Sequence, residues 1–265
     1  MLETIILGLV QGLTEFLPIS SSGHLVLGQE LLGIEGGTDI RLEIILHLGT
    51  LLAIVFAYRQ DVLRLALALV PGRGDPEYRR LLGLLVAASI PTALIGLSLK
   101  DFFESVFAHP ATVSALLMVT GLILLIGDRA RRGEVHAEDI GWKRAVTLGL
   151  AQSMAILPGI SRSGSTIVTG LLLRIQPEEA ARFSFLMSVP AVAGAALLQL
   201  KDSLEPNALP PAYSTIELLA GFASAAIVGY FALQWLLVAV RKRSLSWFAV
   251  YCLLVGATSL VLRAL

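Results

Sequence analysis

Six apolar runs, each close to the length of a bilayer-spanning helix, constrain this chain more than any other feature. They cover residues 40–58, 79–99, 110–127, 179–200, 216–240 and 245–262. A membrane helix needs roughly 20 mostly apolar residues. Only 15% of the 265 residues are charged and 55% are hydrophobic, whereas soluble domains carry about 25% charge. The expected class is therefore an all-α polytopic membrane protein. Lys and Arg balance Asp and Glu at 20 each, so bulk electrostatics gives no reason to expect a nucleic-acid partner. The single cysteine, Cys252, excludes an intramolecular disulfide. No basic n-region precedes the first apolar segment and Glu3 comes first, so that segment is expected to stay in the mature protein.

Four shorter apolar segments, 2–16, 23–32, 142–157 and 163–173, cannot span comfortably. Each consecutive pair is expected to form a helical hairpin that enters the membrane and returns. Both halves then read short, short, long, long, long. Leu7-Gly8-Leu9-Val10-Gln11 matches Leu148-Gly149-Leu150-Ala151-Gln152, and Ile19-Ser20-Ser21-Ser22-Gly23 matches Ile160-Ser161-Arg162-Ser163-Gly164. One integral membrane domain is expected over 1–265, with repeat one at 1–127, a cytoplasmic linker at 128–141 and repeat two at 142–265. A hairpin crosses zero times and each long run once. Each half thus makes an odd number of crossings, and the second is inverted relative to the first. Such repeats with interrupted helices point to a site near the midplane. On this topology one face carries Arg41, Lys100, Lys201 and Arg263, the other carries fifteen basic residues from Arg59 to Arg243, and Arg162 sits at a hairpin tip. The richer face is expected to be cytoplasmic, which puts both termini outside.

The tips carry the chemistry. Non-helical backbone at membrane depth must be buried in protein or line a wet cavity. Helices are expected to restart at Ser22-Gly23 and Ser163-Gly164, and helix N-termini offer free N–H groups to an anion. Arg162 adds a permanent charge with a forked donor, and an arginine in a membrane marks a functional site. Gln11 and Glu15 are four residues apart and share a helix face. Three roles are open to Glu15: ion pair with Arg162, oxygen ligand to a divalent metal together with Gln11, or general acid/base. Ser20 and Ser22 are candidate N-caps. His24 follows Ser21 by three residues, within reach of its hydroxyl, and a serine beside a histidine is the minimal activated nucleophile. His47 sits on an apolar run and reads as core.

Gln11-Gly12-Leu13-Thr14-Glu15 with Phe16–His24, and Pro158–Thr166, resemble the two motifs of the bacitracin-resistance type of undecaprenyl-diphosphate phosphatases. The resemblance extends over the whole chain. It implies hydrolysis of undecaprenyl diphosphate to undecaprenyl phosphate and inorganic phosphate, in the bacterial cytoplasmic (inner) membrane, at a pocket reached from the outer side. It implies a divalent cation, Mg²⁺ or Ca²⁺. By motif position, Ser21 would be the nucleophile, His24 the acid/base, Arg162 the phosphate clamp, and Glu15 an aid to metal or proton transfer. Ser161, Ser163 and Thr166, with Gly159, Gly164, Ser20 and Ser22, would cradle the phosphate. Gln11 stands where many members carry glutamate, which weakens a metal role there. The competing function is a transporter or flippase for an anionic prenyl-phosphate lipid using the same inverted-repeat site. Expected partners are the prenyl diphosphate and membrane lipids, and a homo-oligomer is compatible with the sequence.

Overall fold

A computed structural model describes residues 1–31, 40–130, 133–203, 213–242 and 245–264. Arg131, Arg132 and Arg243, counted above for orientation, and the end of the 23–32 segment lie outside the described residues. The described residues form α-helices with one 3₁₀ turn and no β-strand. Helices α1 (Leu2–Phe16), α2 (Ser21–Leu31), α8 (Trp142–Met154) and α9 (Arg162–Leu172) are the four short ones expected. The long ones are α3 (Ile40–Ala57), α5 (Pro76–Ser98), α7 (Pro110–Asp128), α10 (Pro177–Ser203), α11 (Thr215–Lys242) and α12 (Leu245–Ala264). Five of these are long and apolar enough to cross a membrane, and α3 joined to the next helix makes a sixth candidate bent by 88°. The protein is thus a polytopic, all-helical membrane protein.

Two helices are additional to the sequence expectation: α4 (Arg59–Ala68) and α6 (Lys100–Phe107). Both are short and amphipathic. The α4 helix is tied down by charge: Arg182 of α10 pairs with Asp61, which also accepts a 2.8 Å hydrogen bond from the Tyr78 hydroxyl of α5. The described part of the linker is also held. Its Glu134 and Val135 N–H groups donate to the Arg174 carbonyl at 2.9 Å, and Gln176 N–H donates back to Val135 at 3.0 Å.

Two of the short helices pack chiefly on helices far from them in sequence. The α1 helix lies along α11, and α8 lies along α5. Glycines permit both contacts. A Cβ on Gly8 would sit 2.5 Å from the Gly221 carbonyl oxygen of α11. A Cβ on Gly149 would run into the Ala88 carbonyl of α5. Small residues let membrane helices approach to backbone contact, where dispersion drives association in place of the hydrophobic effect. Outward-facing Leu94, Leu97, Leu122, Ile126, Phe231 and Leu254 are all exposed, as a lipid-facing surface requires. Phe16, at the end of α1, is fully buried and meets Phe185 of α10 edge to face, with ring centroids 5.7 Å apart. That packing fixes the point at which the first tip begins.

Candidate active site

Pro18 ends the first short helix. The residue before a proline is pushed out of the helical region, and Leu17 is extended at φ −60°, ψ 143°. The chain then turns through Ser20, whose φ of 68° is uncommon for a residue with a Cβ. The turn before α9 uses Gly159, at φ 97°. After each turn a serine caps the next helix. Ser20 Oγ accepts from Gly23 N–H at 3.3 Å, and Ser161 Oγ accepts from Gly164 N–H at 3.1 Å. The restarts come one residue earlier than expected, so Ser22 and Ser163 lie inside their helices. Each hydroxyl of that pair approaches its capping serine at 3.3 Å.

This early restart places Ser21 and Arg162 at the first positions of α2 and α9. Both reach the same carboxylate. Ser21 Oγ donates to Glu15 Oε2 at 2.6 Å, and Arg162 Nη2 donates to Glu15 Oε1. Gln11 Nε2 donates to Glu15 Oε2 at 3.1 Å. Glu15 is 9% exposed and Gln11 is fully buried. A buried carboxylate is tolerable only with such partners. The tips are bound to each other as well: Gly159 N–H donates to Ser20 Oγ at 3.2 Å, and Ser163 Oγ donates to the Leu17 carbonyl at 3.4 Å.

Two expectations need correction. His24 does not pair with Ser21. Its Nδ1 bonds the Ser20 carbonyl at 2.8 Å and its Nε2 bonds the Tyr251 hydroxyl of α12 at 2.8 Å. Helical spacing brings the two side chains near each other, but the ring folds back to the carbonyl four residues earlier, and Ser21 turns toward α1. The carboxylate, not the imidazole, touches the serine. Thr166 also lies outside the cradle. It is fully buried, donates to the Arg162 carbonyl at 2.8 Å, and meets Ser184 of α10 at 2.5 Å. Its hydroxyl secures α9 to α10 and is not available to an anion.

Sequence reasoning missed Thr120, Tyr251 and Ser184. Thr120 Oγ1 donates to the Gly159 carbonyl at 2.7 Å and accepts from Ser161 N–H at 2.9 Å, so one side chain of α7 pins the second tip. A hydroxyl within an apolar run was the available signal in each case. His47 is half-buried on α3, with its Nδ1 2.9 Å from the Glu43 carbonyl.

Polar atoms left open show what the site can accept. Arg162 Nη1 and Gln11 Oε1 are buried and have no hydrogen-bond partner among the described residues. A free guanidinium donor beside a helix N-terminus suits an anion. A free amide oxygen beside a carboxylate suits a cation. Among the described residues, no three His, Cys, Asp or Glu side chains gather closely enough to hold a metal by themselves. Mg²⁺ is commonly bound by one or two carboxylates plus substrate phosphates. Gln11 and Glu15 therefore fit a divalent cation shared with a phosphate, and do not form a closed protein site.

Known proteins resemble this chain over nearly its whole length. An undecaprenyl-diphosphatase of Carboxydothermus hydrogenoformans is 43% identical over 262 residues, covering 99% of this chain and 97% of the relative. One from Rubrobacter xylanophilus is 45% identical over 258 residues, covering 95% and 94%. One from Methanobrevibacter smithii is 41% identical over 268 residues, covering 96% and 95%. The family model described as "Bacitracin resistance protein BacA" matches residues 4–258, a span holding both tips and every helix that shapes them, so the chain belongs to the BacA family.

Proposed function

We propose that this protein hydrolyses undecaprenyl diphosphate to undecaprenyl phosphate and inorganic phosphate, returning the lipid carrier to cell-wall synthesis and lowering the amount of lipid that bacitracin can sequester. The single observation that carries the chemistry is the 2.6 Å hydrogen bond from Ser21 to a carboxylate whose other oxygen is held by Arg162. A carrier needs to bind a headgroup, and a hydroxyl aimed at a buried base goes beyond binding.

The terminal phosphate docks at the N-termini of α2 and α9, against Arg162 Nη1. Ser21 Oγ attacks the terminal phosphorus, and its proton passes to Glu15 Oε2. The bond to the bridging oxygen breaks, and undecaprenyl phosphate leaves. Protonation of Glu15 also ends its charge pairing with Arg162, so the guanidinium is released onto the phosphoryl oxygens as charge develops there. Stabilisation of this kind is the main catalytic lever in phosphoryl transfer. Glu15 hands its proton to the departing bridging oxygen. Water then attacks the phosphoserine and gives a proton to the restored carboxylate, and the bond from phosphorus to Ser21 Oγ breaks as that proton returns to the serine, releasing inorganic phosphate. A divalent cation, Mg²⁺ or Ca²⁺, would be held by Gln11 and Glu15 with the substrate's own oxygens and would offset their negative charge.

The inverted repeat belongs to the same proposal. It is supported by the reciprocal packing of α1 on α11 and α8 on α5, by the matching glycines Gly8 and Gly149, and by the matching serine caps. With the basic residues gathered on one face, it gives a protein with both termini outside, two re-entrant hairpins and a site open to the outer side. The test is direct. Purified protein is mixed with a prenyl diphosphate and a divalent cation, and free phosphate is measured. Release that Ser21→Ala abolishes is expected; absence of release across metals and pH would overturn the proposal.

A further inference from the structure

Ser20 occupies a left-handed backbone conformation that a serine adopts only under constraint. It accepts four hydrogen bonds from His24, Gly23 and Gly159. Its carbonyl accepts from His24 N–H at 3.1 Å and from His24 Nδ1–H at 2.8 Å. Its hydroxyl oxygen accepts from Gly23 N–H at 3.3 Å and Gly159 N–H at 3.2 Å. Strain of this kind persists where surrounding contacts over-determine it. The next residue is Ser21, so the direction of the attacking hydroxyl is set by the conformation of Ser20.

One of those bonds depends on a tautomer. The Ser20 carbonyl can only accept, so His24 Nδ1 must carry the proton. Its Nε2 is then a bare acceptor, and the Tyr251 hydroxyl 2.8 Å away donates to it. The two rings lie nearly parallel, 7° apart, with centroids separated by 5.5 Å. Cys252, the next residue of α12, is buried, with its Sγ 4.0 Å from the Pro18 carbonyl. Helix α12 thus abuts the tip at both ends of the turn.

We infer that Tyr251 and His24 are positioning residues: Tyr251 holds His24 in its Nδ1–H tautomer, His24 clamps the Ser20 carbonyl, and the clamped turn aims Ser21 at Glu15. The inference rests on the phosphatase reading for its kinetic arm, but not for its structural arm. It assigns to α12 of the second half a residue needed by the nucleophile of the first.

Asparagine and histidine discriminate the roles. An Asn amide N–H can stand in for Nδ1–H, yet it cannot act as a base. His24→Asn should keep more than about a tenth of wild-type kcat, whereas His24→Ala should lose about a hundredfold or more. Tyr251→Phe should lower kcat about three- to tenfold, the effect of one hydrogen bond, with KM within about twofold. In a His24→Asn background, Tyr251→Phe should change nothing further, since no Nε2 remains to be coupled. Side-chain ¹⁵N spectra of the detergent-solubilised protein give the structural arm. The histidine signal absent from His24→Asn should report an Nδ1–H ring in wild type, and its Nε2 resonance should move in Tyr251→Phe. Should His24→Ala not fold, the Asn variant and the spectra carry the test. An Asn variant reduced a hundredfold or more would make His24 the acid/base and overturn the inference, as would an unmoved Nε2 resonance. A wild type that releases no phosphate would strike the phosphatase proposal alone and leave the spectra to judge the clamp.

Discussion

Arg162→Lys keeps the charge and removes the fork. In the structure one guanidinium nitrogen, Nη2, is committed to Glu15 Oε1, and the other, Nη1, is buried without a partner. The arginine can therefore hold the carboxylate and an incoming phosphate together. A lysine brings one nitrogen to the site. It must leave Glu15 to reach the phosphate, or keep Glu15 and leave the phosphate unclamped. Either choice forfeits one charge-assisted hydrogen bond, about 1.5–3 kcal/mol, which corresponds to a loss of about 10- to 150-fold in kcat/KM. The charge near Glu15 is preserved, so stability should change by less than about 1 kcal/mol. The assay is phosphate release from a prenyl diphosphate in detergent, with thermal unfolding of the same sample as the control for fold. Wild-type kcat/KM in a properly folded Arg162→Lys protein would refute the two-handed role of the guanidinium. A loss of fold with no separate kinetic effect would make Arg162 a structural ion-pair partner only.

Thr120→Val is nearly isosteric but leaves the Gly159 carbonyl and Ser161 N–H unpaired. At about 1–3 kcal/mol for each buried polar group, it should lower the thermal midpoint and depress kcat as well, since Arg162 follows Ser161 directly; unchanged melting would contradict the pinning of the second tip. Gly149→Ala should cost about 1–3 kcal/mol of overpacking where α8 meets the Ala88 carbonyl, while Gly141→Ala, with nothing within 4 Å of its Cβ, should be tolerated; equal thermal midpoints for the two would be inconsistent with backbone contact. Gln11→Glu replaces the amide that donates to Glu15 with a second carboxylate about where the first is already hydrogen-bonded. Two adjacent carboxylates favour a cation or a shared proton, so activity should persist with half-saturation at a lower divalent concentration, read from metal titrations of the rate; an unchanged metal requirement would remove position 11 from the cation site.

The short helices and most of the spans were legible because length and composition alone separate a 20-residue apolar run from a 15-residue one. The pairing of Glu15 with Arg162 was also legible, since a buried charge at membrane depth must find its opposite and few candidates existed. What escaped were contacts decided by a single backbone angle. Helical spacing makes Ser21 and His24 neighbours, and nothing in Ser-Ser-Gly-His announces that Ser20 is left-handed and swings the next hydroxyl toward α1. The α4 and α6 helices escaped for another reason. At ten and eight residues they are too short for periodicity to stand out from apolar surroundings. Thr120 and Tyr251 each look like an ordinary polar interruption until the tips are placed against them.

The crossed packing of the short helices has a consequence for how the protein is made. The α1 helix is made long before α11, on which it rests. Glu15 lacks Arg162 until α9 is made, and lacks the α11 surface that covers its helix until later still. An ionised carboxylate without its cation resists entry into hydrocarbon, so the first hairpin should wait at the interface, or enter with Glu15 protonated, through most of translation. The reaction centre would then close only when the second half arrives, and an incomplete chain would hold a membrane scaffold with no working site to hydrolyse lipid prematurely.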